Sequence, residues 1–429
     1  MKLNKSIILA LLVACSAIGV SAQNAMSPYS KFGYGLLSDN ASSAQRAMGG
    51  VGYAMKSGRQ INVMNPASYA AIDSLTFLFD IGLDVTTLWS EENGVPGKDF
   101  GGGLDYITMQ FPINKYIGAS VGLLPFSSVG YSFGTEIVHG SNAREGVGGI
   151  NQLYAGVGGT PFKNLYVGAN ISYLFGTTIN DAYAYTTSGS QSLFERVMQV
   201  RDWRVQFGVQ YELPISERNS VTLGAVYTPG KSLRGKTWGT YYDISAESSA
   251  DTVGYSSLKD KYSLPDSWGA GISWTWNKKL LAEVDFTYQQ WKDAKSSPII
   301  NEDNGQVVFD KSTFDNRWKI AAGLQYTPKV RGGYLQRITY RVGGFFNHDY
   351  MVVGYKDPTT QRVTDNNVRD YGVSLGFGLP APQSKTMINL GFEWRHRQAS
   401  PNALIKEDYF NITLGINFNE MWFWRNKIR

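Results

Sequence analysis

From Ser74 onward apolar and polar residues alternate with period two. In the first such run Phe77, Phe79, Ile81, Leu83, Val85 and Trp89 share one face, while Thr76, Asp80, Gly82, Asp84 and Thr86 share the other. That is the pattern of a strand with one greasy and one polar side. Equivalent runs recur to the C-terminal end. Ala282, Val284, Phe286 and Tyr288 alternate with Glu283, Asp285 and Thr287, and Ile388, Leu390, Phe392 and Trp394 with Asn389, Gly391, Glu393 and Arg395; a last run covers 410–418. The polar faces carry too many charges and glycines for a packed core, and the apolar faces are too continuous to meet water. The strands therefore read as the wall of a transmembrane barrel.

The connections set the strand number. Six tight polar or proline-containing segments, at 112–115, 160–164, 214–219, 277–279, 327–334 and 380–385, alternate with seven long loops at 90–102, 126–149, 177–202, 229–266, 292–316, 347–367 and 397–405. They predict an all-β fold, a 14-stranded antiparallel barrel with both ends of the wall on the short-turn side. The tryptophans fit this layout. Trp89, Trp203, Trp268, Trp291, Trp318 and Trp394 fall near long-loop ends and Trp274, Trp276, Trp422 and Trp424 near short-turn ends, the two levels where an amphipathic ring meets the bilayer surface. Trp238 alone is placed in a loop.

Composition narrows the class further. Aromatics make up 14%, charged residues only 17%, and there are 47 glycines, an unusual balance for a soluble enzyme. Beyond the leader no apolar run is long enough for a spanning helix, so a helical membrane protein is excluded. A net charge of +5 with scattered basic residues leaves no nucleic-acid footprint. Lys2 and Lys5 precede an apolar run at 7–20, and Val20-Ser21-Ala22 offers a signal-peptidase site, so the mature chain is expected to start at Gln23. Leu12-Val13-Ala14-Cys15 also fits a lipoprotein box that would leave Cys15 lipidated; the apolar 16–22 stretch, where a tether is normally polar, favours simple cleavage. Cleavage at Ala22 removes the single cysteine and with it any disulfide or thiolate chemistry.

Residues 23–73 precede the wall and do not alternate. Within 46–67, RAMGGVGYAMKSGRQINVMNPA, Gly49, Gly50 and Gly52 permit close approaches that a Cβ would block, and Asn65-Pro66 is a turn signal. Irregular backbone cannot face hydrocarbon, but it can fold inside a lumen. The chain thus divides into a leader (1–22), an internal plug (23–73), a barrel (74–418) and a periplasmic tail (419–429). On Arg46-Ala47 with Gly49 or Gly50, followed by Asn65-Pro66-Ala67, it resembles the FadL family of outer-membrane transporters for long-chain fatty acids and other hydrophobes, whose N-terminal hatch carries a similar pair of motifs. The resemblance implies a Gram-negative outer membrane with lipid and lipopolysaccharide around the wall, a fatty-acid-like hydrophobic ligand, and passive uptake gated by the hatch. It also implies a sideways exit at a kink in the third strand, which falls on Gly118, Gly122 and Pro125. Ser27-Pro28-Tyr29-Ser30 and the tail 421–429 match nothing in that pattern. The alternative is a non-transporting barrel subunit of a protein secretion or assembly complex, with outer-membrane protein partners, which the large loops and the aromatic, basic tail suit.

Catalytic and metal chemistry find little purchase. His139 and His348 fall in expected loops and His396 at the outer end of a strand, with no second histidine or cysteine at ligand spacing, so no metal or cofactor is expected. His396 shares the lipid-facing parity of Trp394, yet Ser374 on the neighbouring strand has lumenal parity, which argues against a membrane-surface hydrolase and for a protein that is not an enzyme. The segment 224–232 mimics a phosphate loop with one residue too many, and the acidic 301–305 turn lacks calcium-loop spacing. Arg204, Lys319, Arg337, Arg341 and Arg395 share lumenal parity with Asp80, Asp84, Glu212, Glu283, Asp285 and Glu393. They either pair wall with plug, or Arg337, Arg341 and Arg395 attract an anionic headgroup through paired guanidinium hydrogen bonds.

Overall fold

The computed structural model describes residues 27–421, apart from 138–139, 188–190, 245–250, 260–261, 295–297, 301–306, 310–313, 330–331, 358 and 383. The leader with Cys15, His139, the 301–305 turn, and the tail with Trp422 and Trp424 lie outside the described residues.

Fourteen strands close on themselves. They are β1 (Thr76–Glu92), β2 (Val95–Pro112), β3 (Ile117–Ile137), β4 (Gly140–Phe162), β5 (Leu165–Thr186), β6 (Gln191–Ser216), β7 (Asn219–Thr228), β8 (Ser267–Trp276), β9 (Leu280–Gln289), β10 (Arg317–Tyr326), β11 (Thr339–Lys356), β12 (Val363–Pro380), β13 (Met387–Ser400) and β14 (Ile405–Met421). Each pairs antiparallel with the next, and β14 pairs with β1 over the whole of β1, from Thr76↔Met421 to Glu92↔Ile405. The expected parity holds: Glu283 and Asp285 are buried inside, while Val284 and Phe286 are exposed on the outer surface. Aromatic rings pack across neighbouring strands on that surface, Trp268 stacked on Tyr288 (6.0 Å) and Tyr173 tilted against Trp203 (4.9 Å). A wall with a broad apolar band on its outer face is stable only in lipid, and the protein is an outer-membrane barrel.

Several connections expected to be irregular loops continue the wall instead. β1 and β2 run to a two-residue turn, Asn93-Gly94, with φ of 51° and 81°, the asparagine-glycine pair that a tight hairpin demands. β3 to β6 are 21 to 26 residues long, whereas β7 to β10 are 10 residues each, just enough to cross. The hairpin Gly235–Ile244 with Asp251–Lys259 pairs onto β6 and extends this high side, so Trp238 sits on a strand rather than in a loop. Trp291 leaves the outer belt: it is 1% exposed, turned into the barrel mouth and stacked on Tyr350 at 4.4 Å. His348 lies on β11, buried against Trp318 and near Asp315, not in an exposed loop.

Candidate functional site in the lumen and the β2–β3 seam

The N-terminal segment enters at the mouth. A short 3-10 turn, Pro28–Lys31, and the residues after it bring Tyr29, Tyr34, Leu36 and Leu37 into an apolar cluster with Trp291, Phe314 and Tyr350. Tyr34 packs 5.5 Å from Trp291, and Ser27 Oγ donates to the Glu407 carboxylate at 2.8 Å. The Ser27 to Ser30 stretch that fitted no resemblance therefore packs into the long-loop end.

Below the mouth the segment winds around the inner wall, meeting the strands in falling order. The helical turn Ser43–Arg46 rests on β13 and β14, Met48 and Gly49 on β10 and β11, and Gly52 to Ala54 on β9, β8 and β7. Lys56 pairs with Glu212 of β6, Pro66 lies against β5 and β4, and Tyr69 reaches β3. The wall is recessed to receive it. A Cβ at Gly158 would lie 2.6 Å from the Pro66 carbonyl oxygen, and one at Gly415 2.8 Å from the Ser43 Cβ; neither leaves room for a side chain. Carboxylates of the wall accept the segment's own amides. Asp285 takes those of Gly52 (2.7 Å) and Tyr53 (3.0 Å), and Glu283 takes that of Ala54 (2.8 Å), supplying partners that an irregular backbone inside a barrel must find.

Each residue of the two sequence motifs has a place in this docking. Arg46 Nη2 donates to Asp105 Oδ1 at 2.8 Å, and Ala47 lies against Gly376. Gly49 (φ 75°) donates its amide to Ser374 Oγ at 2.8 Å, and Gly50 (φ 81°) donates to the Gln45 carbonyl at 2.9 Å. Asn65 caps the 3-10 turn Pro66–Ala71 by accepting from the Ala67 amide and donates to the Tyr53 carbonyl at 2.7 Å; Ala67 is fully buried. Burial pulls the Arg46 guanidinium down, but Asp105, Asp84 and Glu393 around it more than offset that and raise it above its usual value. Asp39 is the converse: burial pushes its carboxyl up, and Lys319 and Arg317 hold it well below the carboxylate range.

One seam of the wall is interrupted. β2 and β3 are 18 and 21 residues long, yet they pair only from Pro112↔Gly118 to Ile107↔Leu123, the short-turn end. Directly above that point each strand carries a register break, at Asp105 in β2, between Gly82 and Leu83 of its partner, and at Phe126 in β3, between Pro125 and Ser127. A bulge bends its strand and sharpens its twist, and two bulges facing each other steer the strands apart. Pro125 adds to this, having no N–H for a ladder. Gly118 and Gly122 sit in the paired part, and Gly118 makes room for the Tyr69 carbonyl. The N-terminal segment occupies the edge that β3 loses. Leu36–Leu37 pairs with Ser127 and Ser128, Ser38 donates to the Phe126 carbonyl at 3.0 Å, and Ser27 donates to that of Gly130 at 2.7 Å. Asp105, the extra residue of the β2 bulge, is the one Arg46 holds. Sequence reading passed over it, although the outward residues Leu104 and Ile107 stand three apart and mark the slip.

Two cavities flank Asp39. One of about 90 Å³ lies between Arg204, Phe126, Tyr53 and Trp291; the other, of about 170 Å³, runs from Arg46 and Lys319 to the seam, where Asp99, Gly101 and Asp105 line one side and Pro125 and Ser128 the other. Of the arginines considered for an anionic headgroup, Arg341 is buried and donates to Gln325 (2.8 Å) and Asn389 (2.9 Å), and Arg395 donates to Glu393 at 2.8 Å. Arg337 is not lumenal. It ends a helical turn, Tyr334–Arg337, in the short connection before β11, and stacks on Tyr334.

The closed 14-stranded wall has the architecture of FadL-type outer-membrane barrels. Among solved structures the chain is similar to the CymD monoaromatic hydrocarbon channel (TM-score 0.62, 13% identity, 89% of this chain and 97% of that one) and to the P. putida toluene transporter TodX (0.61, 14%, 90% and 100%). It is also similar to a Pseudomonas aeruginosa FadL homologue (0.60, 14%, 90% and 99%). The model of the family described as BamG matches residues 3–429, and the chain belongs to that family. No curated protein matches it. The fold places it in the outer membrane of a Gram-negative bacterium.

Proposed function

We propose that this protein is a passive channel for hydrophobic molecules, with residues 23–73 as its hatch and the β2–β3 seam as its side exit. The observation that carries this reading is the cavity of about 170 Å³ that reaches from the lumen to the interrupted seam. Backbone left without a ladder partner at membrane depth is tolerated where it lines a passage, and the Gly101 stretch of β2 lines this one. The structural neighbours named for toluene and monoaromatic hydrocarbons support a hydrophobic cargo, and fatty-acid-like molecules belong to the same class. In liposomes the protein is expected to speed entry of a hydrophobe from the outer face, and a disulfide closing the upper seam is expected to abolish that gain. Purified protein that retains no lipid-like ligand, together with unchanged hydrophobe uptake in a deletion strain, would overturn the reading.

A second reading, a subunit of a protein secretion or assembly complex, is favoured by the one-sided sheet that β3 to β6 and the Gly235–Ile244 hairpin raise beyond the membrane. Its test is copurification from native membranes: a stoichiometric outer-membrane protein partner supports it, and isolation as a lone barrel opposes it.

A further inference from the structure

The cavity behind the seam has a charge balance of its own. Five carboxylates line it, Asp39, Asp84, Asp99, Asp105 and Glu393, against three lining cations, Arg46, Lys319 and Arg395, with Arg317 a fourth that reaches Asp39 from just beyond. The cations are already engaged: Lys319 on Asp39, Arg395 on Glu393 and Arg46 on Asp105. Among the described residues Asp84 and Asp99 form no ion pair. Asp105 is only 7% exposed, and while its Oδ1 is held by Arg46, its Oδ2 has no hydrogen-bond partner. A carboxylate oxygen buried without a donor is costly unless a ligand brings one. A primary ammonium brings three N–H donors and a positive charge on an organic chain. Leu36, Leu37, Leu88, Pro125 and Phe345 supply an apolar surface beside the carboxylates.

We infer that this cavity binds the cationic headgroup of an amphiphile, an alkylammonium, with Asp84, Asp99 and the free oxygen of Asp105 as its counter-charge and the seam as the path of its chain. The inference rests on the channel reading and sharpens it. An ammonium meets Asp99, the free oxygen of Asp105 and Asp84 beside Arg46, a carboxylate cargo meets like charge, and an uncharged chain of equal length meets neither effect.

The test uses the full-length mature protein in nanodiscs, with hexadecylammonium, palmitate and hexadecanol as probes, read by calorimetry. The ammonium is expected to bind about tenfold or more tighter than palmitate at neutral pH. The pair Asp84→Asn with Asp99→Asn is expected to erase that preference while leaving hexadecanol binding in place; among the described residues neither forms an ion pair with the N-terminal segment, and an unshifted thermal unfolding transition checks that the fold is kept. Equal or tighter palmitate binding, or a preference that survives the double substitution, overturns the site and leaves the channel standing. Binding of none of the three probes overturns both.

Discussion

Two seams of one barrel can be set side by side. The β1–β14 seam closes the wall between the two ends of the chain, and its ladder runs the full 17 residues of β1 without a break. The β2–β3 seam joins consecutive strands by a short turn, and only Ile107 to Pro112, six of the 18 residues of β2, pair across it. Proximity in sequence therefore does not decide which seam is tight. Residue chemistry decides: β1 and β14 keep strict alternation throughout, while Asp105 and Phe126 each insert one residue and Pro125 withdraws a donor. The difference also shows what the N-terminal segment does for the wall. It covers the β3 edge with Leu36–Leu37 and meets the β2 bulge through Arg46, so one segment touches both sides of the gap.

That contrast can be broken in graded ways. The largest effect is expected from Gly158→Leu, which places a side chain where Pro66 must lie; overpacking of this kind costs about 1–3 kcal/mol or more and should displace the lower hatch, raising conductance in planar bilayers about tenfold. An unchanged conductance would mean that the segment does not block the lumen. Arg46→Ala strips the partner from Asp105, and since Arg46 is itself partly exposed, a cost of about 2–3 kcal/mol is expected at the low end for a broken buried pair. Protease access to the hatch should rise, and Arg46→Lys should restore closure in part. Asp39→Asn removes one of the hydrogen-bonded charges shared by Arg317 and Lys319, for about 1–2 kcal/mol. The sign of its pH dependence follows from its lowered carboxyl: the contribution is complete above the ordinary carboxylate value of about 3.9 and fades only as pH falls through the depressed one. Closure by this contact should thus be flat from pH 8 to pH 5 in single-channel records, and a steep loss near pH 6 would exclude Asp39 as the strut. Pro125→Ala is expected to matter least, returning one donor worth about 1 kcal/mol to a seam whose bulges remain, and to slow side exit only slightly.

The wall was legible in the chain because parity is enforced at every position: a residue of the wrong polarity on the lipid face is expelled, so alternation, strand number and both ends of the barrel could be read directly. Arg46, the glycines after it and Asn65-Pro66-Ala67 likewise marked an irregular segment that needed a lumen. Less was legible where geometry depends on what packs from the other side. Gly118 reads as a weak point in a strand, yet its missing Cβ accommodates the Tyr69 carbonyl. Arg337 has lumenal parity only if β11 is extended back through Tyr334–Arg337, which forms a helical turn instead. The expected loop at 90–102 hid a hairpin that Asn93-Gly94 announces, and the slip between Leu104 and Ile107 announced the bulge. Trp291 fitted a belt by position but is claimed by the aromatic cluster that Tyr34 and Tyr350 build in the mouth.

The claim of an interrupted wall is tested most directly by residue-resolved amide hydrogen exchange of the protein in nanodiscs. Alternate amides of residues 98–104, those turned away from β1, should exchange orders of magnitude faster than the amides of Thr108 and Gln110 or those along β14. Uniform protection along β2 would show a ladder where the account places a gap, and would contradict it.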